Sequence, residues 1–323
     1  GNFRNEIVFF LYILIYYCCD NMKKIFKVVF YLCLIGLVYY YRNDIINYVT
    51  KLLDSGHKIV LDTPNDYYKN VNYSYVKQSE NFVPYSKQDL IDIYYSILDR
   101  GYKDFTFYCP MEYVNCISDI EKISNGENDT LSILNYFVSP FNSEKKITTS
   151  YSTTGEVNIT VDKLYSDEEI KAVNKKIDEI ISDIINNNMS LEDKILAVHD
   201  YIINNTKYDS DALNNNSKYK SYISYGTLLE GYSTCNGYAD AMALFLDRFN
   251  VPNIRIASST HVWNAVYLNN KWLHLDLTWD DPITEGSNRD TLLHKFYLID
   301  TPTLEGYNIT EHEYNKTIFL EVS

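Results

Sequence analysis

The feature that most constrains the fold is a pair of alternating apolar segments joined by an Asn-Asn dipeptide at 269–270. The segments cover 260–268 and 271–279, and adjacent asparagines suit a two-residue turn in which both residues have positive φ. Such a turn places Leu268 opposite Lys271 and determines the pairing of every residue further along the hairpin. The sequence therefore predicts an antiparallel sheet with a defined register.

This register brings a histidine and an aspartate together. His261 and Asp276 become diagonal neighbours with Cα atoms about 7–8 Å apart, within reach of a side-chain hydrogen bond. Alternation puts the following residues on this face: His261, Trp263, Ala265, His274, Asp276 and Thr278. Asn264 points to the opposite face and is not predicted to be catalytic. A carboxylate bound to one imidazole nitrogen leaves the other free for a nucleophile, whereas a three-residue turn would separate the pair.

A cysteine upstream of the hairpin stands at the predicted start of a helix. Small and polar residues precede Cys235, and an apolar helical pattern that includes Ala239 and Met242 follows it. Backbone N–H groups and the helix dipole stabilise a thiolate at such a position, although a buried, inert thiol is the alternative. Together with His261 and Asp276, Cys235 predicts a Cys–His–Asp catalytic site.

Three motifs resemble the transglutaminase-like domain of bacterial secreted proteins. They are Cys235-Asn-Gly-Tyr-Ala, Thr260-His-Val-Trp-Asn and Trp272-Leu-His-Leu-Asp-Leu-Thr-Trp-Asp-Asp-Pro282, and the likeness covers residues 190–300, about a third of the chain. The resemblance implies an α+β, papain-like fold in which a helical part carries the cysteine and an antiparallel sheet carries the histidine and the aspartate. It also implies acyl transfer through a thioester, with no metal and no cofactor.

The sequence offers two candidates for the oxyanion donors. The backbone N–H of Cys235, at the helix start, is one candidate. Papain-type enzymes use a glutamine shortly before the cysteine, but Leu228, Leu229 and Glu230 offer none, so Tyr225 is the candidate for the second donor. The triad leaves open whether water or an amine resolves the thioester.

The chain divides into five predicted segments. They are an N-terminal apolar signal or anchor at 1–41, a linker at 42–83, a small α+β domain at 84–163, a transglutaminase-like catalytic domain at 164–304 and a C-terminal tail at 305–323. In the small domain we expect a helix from Ser86, a strand at 104–109 and a hairpin around 154–155. A capping box at Ser166 and a cap at Ser190 open the first two helices of the catalytic domain.

The first 41 residues resemble a secretory signal or an uncleaved anchor. Two apolar runs, at 7–19 and 28–41, are each shorter than the ~20 residues that span a bilayer. Met22, the lysines that follow it and the apolar run after them are typical of the start of a secretory signal or anchor. Lysines ahead of the run predict that the rest of the chain lies outside the cytoplasm. Residues 1–21 are then spurious or a second membrane segment, and a buried core helix is the alternative for the second run.

The charge of the predicted exported part limits its partners. The 323 residues include 43 acids and 29 bases, and the net charge is −14 for the whole chain and −16 for residues 42–323. This acidity argues against nucleic acid as a partner, because phosphate binding needs clustered Lys and Arg. A protein or cell-wall peptide is the expected substrate, with the membrane as a partner of the N-terminal segment; the sequence leaves the oligomeric state open.

The remaining cysteines and histidines have structural interpretations. Cys109 and Cys116 could form a disulfide outside the cytoplasm or remain two core thiols. We expect His199 to be a packed, hydrogen-bonded histidine, and His274 to be structural or to line the site. Neither Cys-x-x-Cys nor His-x-x-x-His spacing supports a metal site at Cys235.

Two functions remain. The first is extracytoplasmic, thiol-dependent acyl transfer on amide or peptide substrates, as a cysteine protease or a transglutaminase-like acyltransferase. The second is a catalytically silent, surface-anchored binding or scaffold module with the same fold. The presence of Cys235, His261 and Asp276 together favours the enzyme.

Overall fold

The computed structural model describes residues 24–42, 46, 59, 62–282 and 292–323. The chain forms two compact units, 1–58 and 59–323. The first contains helix α1, Lys24–Tyr40. Among the described residues, no helix combines the length and the apolar character needed to cross a membrane. The predicted apolar run at 7–19 and the proposed start at Met22 lie outside the described residues.

The second unit begins with a three-stranded antiparallel sheet and its helices. In chain order these are α2 Lys87–Arg100, β1 Asp104–Tyr108, α3 Cys116–Ser124, α4 Thr130–Leu134, β2 Glu144–Tyr151 and β3 Glu156–Lys163, with strand order β1-β3-β2. Ser86 caps α2, and Gly101 ends it at φ 74°, a value that favours glycine. Cys109 and Cys116 are disulfide-bonded. The predicted elements of this region are confirmed to within a few residues.

The helical part that contains Cys235 follows. It contains α5 Asp167–Ile184, α6 Leu191–Asn205, β4 Lys207–Tyr208, a π-helical turn Gly226–Glu230, β5 Tyr232–Ser233 and α7 Cys235–Arg248. The predicted capping box at Ser166 is present, and Ser190 caps α6 through a second box with Asp193. The short strands β4 and β5 pair in parallel just before α7 begins.

A second three-stranded antiparallel sheet contains the hairpin. It consists of β6 Asn253–Ala257, β7 Val262–Leu268 and β8 Lys271–Leu275, followed by α8 Leu277–Asp280 and α9 Thr301–Gly306. Asn269 and Asn270 have φ of 52° and 63°, and Leu268 pairs with Lys271. The predicted turn and register are confirmed. The second strand ends at Leu275 rather than at residue 279, because the Asp276 side chain accepts a hydrogen bond from the Trp279 N–H and starts α8.

Both faces of this sheet are buried. Ile256 and Trp263 on one face belong to an apolar core shared with α2 and β1. Val266 and Leu275 on the other face belong to a core shared with α5, α6 and α7. The α+β class is confirmed. Residues on both sides of position 164 contribute to the first of these two cores. The predicted domain boundary at 164 stays a prediction.

Two segments that were expected to be a linker and a tail contribute to the core. In 62–83, which contains no helix or strand, Val76 and Phe82 are buried, and near the C-terminus so are His312 and Phe319. The first two and Phe319 lie in irregular backbone, and His312 ends a short 3₁₀ turn, so each side chain enters the core singly. Periodicity cannot detect such burial, because no repeat of apolar residues accompanies it.

Candidate active site

Cys235 is the first residue of α7, and close packing fixes its position. The preceding residue, Thr234, is extended, and its N–H donates to the Ser221 carbonyl at 2.9 Å. A Cβ on Gly237 would lie 2.4 Å from that carbonyl oxygen and 2.5 Å from Ser233 Oγ. Only glycine therefore allows the first turn of α7 to pack here, with the free thiol of Cys235 partly exposed.

His261 and Asp276 meet at the end of the hairpin. His261 Nε2 lies 2.7 Å from Asp276 Oδ2, and both side chains are buried. The turn before β7 holds His261, because its N–H donates to Ser258 Oγ at 3.0 Å and its carbonyl accepts from the Ser258 N–H at 2.9 Å. The contact predicted from the register is present.

The thiol completes this arrangement. The Cys235 side chain acts on His261 and helps to raise the pKa of its imidazole, and since Nε2 faces Asp276, Nδ1 is the nitrogen left for sulfur. Two interactions join the sheet to α7: Asn264 Nδ2 donates to the Ala239 carbonyl at 2.9 Å, and Arg255 forms a buried ion pair with Asp240. The structure thus brings the three predicted residues together. Asn264 lies on the opposite face of the sheet, as expected, and there contacts α7.

Electrostatics favour an ion pair in this site. Burial opposes the charged imidazole, but the Asp276 carboxylate and the Cys235 side chain raise the pKa of His261 to about 10. Burial also disfavours the charged form of Asp276, but the charge and hydrogen bonds of His261 and His312 hold the pKa of this carboxyl well below its usual range. At neutral pH the aspartate is therefore ionised and His261 is protonated.

His312 is a residue of this site that the sequence did not predict. Its Nε2 lies 2.8 Å from Asp276 Oδ2, the same oxygen that His261 contacts. It ends a 3₁₀ turn, Thr310–His312, and its ring packs on Phe296 with centroids 5.2 Å apart. A single histidine in a segment without periodicity gives no signal that could have identified it.

His274 is structural. Its Nδ1 accepts from Trp263 Nε1 at 3.0 Å, and its Nε2 lies 3.1 Å from Thr301 Oγ1. Burial and the nearby His312 lower the pKa of His274 to about 4, so the ring is neutral at pH 7. It holds the Trp263 indole, which stacks on His261 at 5.6 Å between centroids.

His199 is buried and hydrogen-bonded, as predicted. Its Nδ1 lies 2.8 Å from Asp200 Oδ1 and its Nε2 lies 3.3 Å from Asp280 Oδ2. His294 Nε2 contacts the same Asp200 oxygen at 2.7 Å.

Two clusters of the described residues bring three metal-ligating atoms within 4.8 Å of one another: His199, Asp200 and His294, and His261, Asp276 and His312. In each cluster, one aspartate oxygen lies within hydrogen-bond distance of both imidazoles. The expectation of a metal-free protein stays a prediction.

Two tyrosines are candidates for the second oxyanion donor. The ring of Tyr225 lies 5.0 Å from Lys220 Nζ and packs against the core shared with α7. Burial and then the nearby Cys235 side chain raise the pKa of Tyr208 to about 12. The role suggested for Tyr225 stays a prediction, and Tyr208, in β4, is a second candidate.

A comparison with the models of known protein families agrees with the motifs. Residues 178–277, which include Cys235, His261 and Asp276, match the model of the transglutaminase-like superfamily, and the predicted resemblance is confirmed. Six chains of solved structures match. One, titled "Crystal structure of a TGase", is 15% identical with a TM-score of 0.34, and the match covers 48% of this chain and 49% of that one. The chain thus spans about half the length of that structure. No curated protein matches the chain.

Proposed function

We propose that this member of the transglutaminase-like superfamily catalyses thiol-dependent acyl transfer on amide or peptide substrates, through a thioester on Cys235. The observation that carries the proposal is the His261–Asp276 pair, joined at 2.7 Å, together with the Cys235 thiol at the start of α7, which acts on the same imidazole. Members of the superfamily are often cysteine proteases or transglutaminases, and a thiol, an imidazole and a carboxylate in this order form a nucleophile system.

In the first half-reaction, the Cys235 thiolate attacks the carbonyl carbon of the substrate. A C–S bond forms and the carbonyl oxygen becomes an oxyanion, to which the Cys235 backbone N–H at the start of α7 donates. His261 then gives its proton to the nitrogen of the leaving amine, the C–N bond breaks, and a thioester remains. Asp276 orients His261 and stabilises its imidazolium throughout.

In the second half-reaction, neutral His261 removes a proton from water or from an amine. The resulting nucleophile attacks the thioester, the C–S bond breaks and the Cys235 thiolate returns to its place beside the imidazolium. Water gives a carboxylic acid, as in a peptidase, and an amine gives a new amide, as in a transglutaminase. The triad serves both outcomes.

A second oxyanion donor is proposed among the phenols. The electrostatic interaction with Cys235 supports Tyr208, and no comparable contact with Cys235 supports Tyr225 among the described residues. We expect Tyr208→Phe to lower kcat about tenfold or more, because a donor to the oxyanion is lost, and Tyr225→Phe to leave kcat within about twofold. The reverse ranking would assign the donor to Tyr225.

We place the catalytic unit outside the cytoplasm, held at the membrane by its N-terminal segment and acting on a protein or cell-wall peptide. The Cys109–Cys116 disulfide supports an oxidising compartment. The lysines at 23, 24 and 27, ahead of an apolar run, support export with the N-terminus inside. Fractionation of cells with the full chain, followed by protease digestion of intact cells, tests this placement.

The decisive experiment offers the full chain a peptide library and a primary amine together, with products identified by mass spectrometry. Hydrolysed peptides indicate a peptidase and amine-linked peptides indicate a transglutaminase; Cys235→Ala should abolish both. Cys33→Ala is the matched control, because Cys33 is also a free thiol. Absence of turnover, combined with equal labelling of Cys235 by a thiol-reactive probe in the wild type and in His261→Ala, would instead favour a silent binding module.

A further inference from the structure

We propose that His312 is a positioning residue of this site, which holds the Asp276 carboxylate against His261 by a hydrogen bond from the C-terminal segment. The inference rests on the proposed function, since it assigns His312 a part in the same nucleophile system. It adds a fourth side chain to the three that the motifs identify.

The geometry of Asp276 requires a donor at His312. Asp276 Oδ2 lies 2.7 Å from His261 Nε2 and 2.8 Å from His312 Nε2, and Oδ1 accepts from the Trp279 N–H at 3.2 Å. An ionised carboxylate is only an acceptor, so Nε2 of His312 carries the hydrogen in either protonation state of the ring. Three donors from three parts of the chain therefore define the orientation of one carboxylate.

Burial makes this donor consequential. Asp276 is 1% exposed and His312 is 5% exposed, so water does not readily replace a lost hydrogen bond. Burial alone would raise the pKa of Asp276, and the hydrogen bond and charge of His312 act with those of His261 to lower it. Removal of the His312 donor should therefore raise the pH at which Asp276 takes up a proton.

The backbone around His312 is tied to the turn that carries His261. Tyr314 forms an antiparallel bridge with Ser258, and Ser258 bonds both the N–H and the carbonyl of His261. The Tyr314 hydroxyl also donates to the Val322 carbonyl at 2.6 Å. The C-terminal segment is thereby placed relative to the imidazole that its histidine supports.

The ring of His312 sits in an aromatic cage. It stacks on Phe296 and lies edge-on to Trp263, with centroids 5.0 Å apart. The titratable groups that face it are Asp276, His261 at 5.4 Å between centroids, and His274 on β8. On its own segment, Glu311 and Glu313 are exposed. Its Nδ1 has no hydrogen-bond partner among the described residues, so its one polar contact is Asp276.

Two variants of the full chain separate positioning from packing. His312→Gln keeps an N–H donor near the position of Nε2, and His312→Phe fills the aromatic cage without a donor. The readout is the rate of Cys235 alkylation by iodoacetamide between pH 4 and pH 9, measured on the Cys235 peptide by mass spectrometry so that other thiols do not contribute. Thermal midpoints are recorded in parallel.

We expect His312→Phe to slow alkylation about tenfold near neutral pH, because a carboxylate that is held less firmly stabilises the imidazolium, and through it the reactive Cys235 thiolate, less well. For the same reason the rate should begin to fall at a pH about one unit higher on the acid side of the profile. His312→Gln should remain within about threefold of the wild type. A role in packing alone predicts the opposite ranking, because phenylalanine suits the aromatic cage better than glutamine. A wild-type rate and profile in His312→Phe would overturn the proposal.

A double-mutant cycle keeps the test valid if His312→Gln does not fold. In an Asp276→Asn background the effect of His312→Phe on alkylation should largely disappear, because His312 acts through Asp276; additive effects would contradict the proposal. Alkylation needs no substrate. If no amide turnover is found, the proposed function is contradicted, but the alkylation result still tests the role of His312. If turnover and alkylation are both normal in His312→Phe, only the positioning role is contradicted.

Discussion

Two buried histidine–aspartate pairs lie at opposite ends of one four-residue helix, α8. Asp276 caps its start and contacts His261 at 2.7 Å, whereas Asp280 is its last residue and contacts His199 at 3.3 Å. The difference lies at the second ring nitrogen. In His261 that nitrogen is left for the Cys235 thiol, and in His199 it faces the Asp200 carboxylate at 2.8 Å.

The comparison shows that a buried His–Asp pair does not by itself identify catalytic residues. His199 is held between two carboxylates and has no ring nitrogen left for a reacting group. His261 shares one nitrogen with a carboxylate and presents the other to a nucleophile at a helix start. The group beside the second ring nitrogen therefore decides which of the two histidines can act on a nucleophile. We expect the His199 pair to be structural and to join α6 to the segment around α8.

Replacing the two histidines gives the largest expected contrast. His261→Ala should lower kcat/KM by about 10⁴-fold or more, because the thiolate loses its counter-ion and the leaving amine loses its acid. His199→Ala should leave kcat/KM of the folded protein within a few-fold and reduce the free energy of unfolding by about 2–4 kcal/mol, since it leaves a buried carboxylate unpaired. Steady-state kinetics on a substrate from the product screen, with urea unfolding of the same samples, checks both.

Equal losses of activity in the two histidine variants, after correction for the folded fraction, would contradict the distinction between the pairs. The distinction would also be contradicted if His261→Ala lost as much stability as His199→Ala and kept its activity. In the second case His261 would be another structural histidine.

Replacing the two aspartates by asparagine is the next largest contrast. Asp276→Asn should lower kcat by about 10³–10⁴-fold with KM nearly unchanged, because the amide supports the wrong tautomer of His261. Asp280→Asn should cost about 1–3 kcal/mol of stability, since its carboxylate also accepts the Phe296 N–H at 2.9 Å. Kinetics and thermal unfolding of both variants test this, and an Asp276→Asn protein with wild-type kcat would refute the role given to Asp276.

The pH dependence should give a smaller effect that belongs to the His261 pair. The pKa of His261 is raised from 6.5 to about 10, so the stability it contributes is fully present below pH ~6.5 and is lost as the pH rises through about 10. We expect the free energy of unfolding to fall over this range in the wild type and much less in His261→Gln. Urea unfolding at several pH values measures the difference, and parallel slopes would contradict the ion pair.

Local patterns predicted much of this site. The Asn-Asn turn at 269–270 determined the register, and alternation along the two strands then placed His261 beside Asp276. Ser166 and Ser190 marked the helix starts correctly, because capping depends on residues three positions apart. The same reasoning extended β8 too far, since it did not foresee that Asp276 would cap a short helix.

Other contacts were beyond such patterns. His312 reaches Asp276 from 36 residues further along the chain, and nothing in the neighbouring sequence distinguishes it from an exposed histidine. Phe82 and Phe319 enter the core from segments without regular structure, so no period announces their burial.

By itself, the amino-acid sequence determined the hairpin register, the helix that begins at Cys235 and the three motif residues of the candidate active site, because turns, caps and side-chain alternation are local. Only the tertiary structure decided that His261 has a thiol where His199 has a second carboxylate, and that His312 shares Asp276. These contacts depend on how segments that are distant in sequence pack against one another in the core. Local sequence patterns carry no information about that packing.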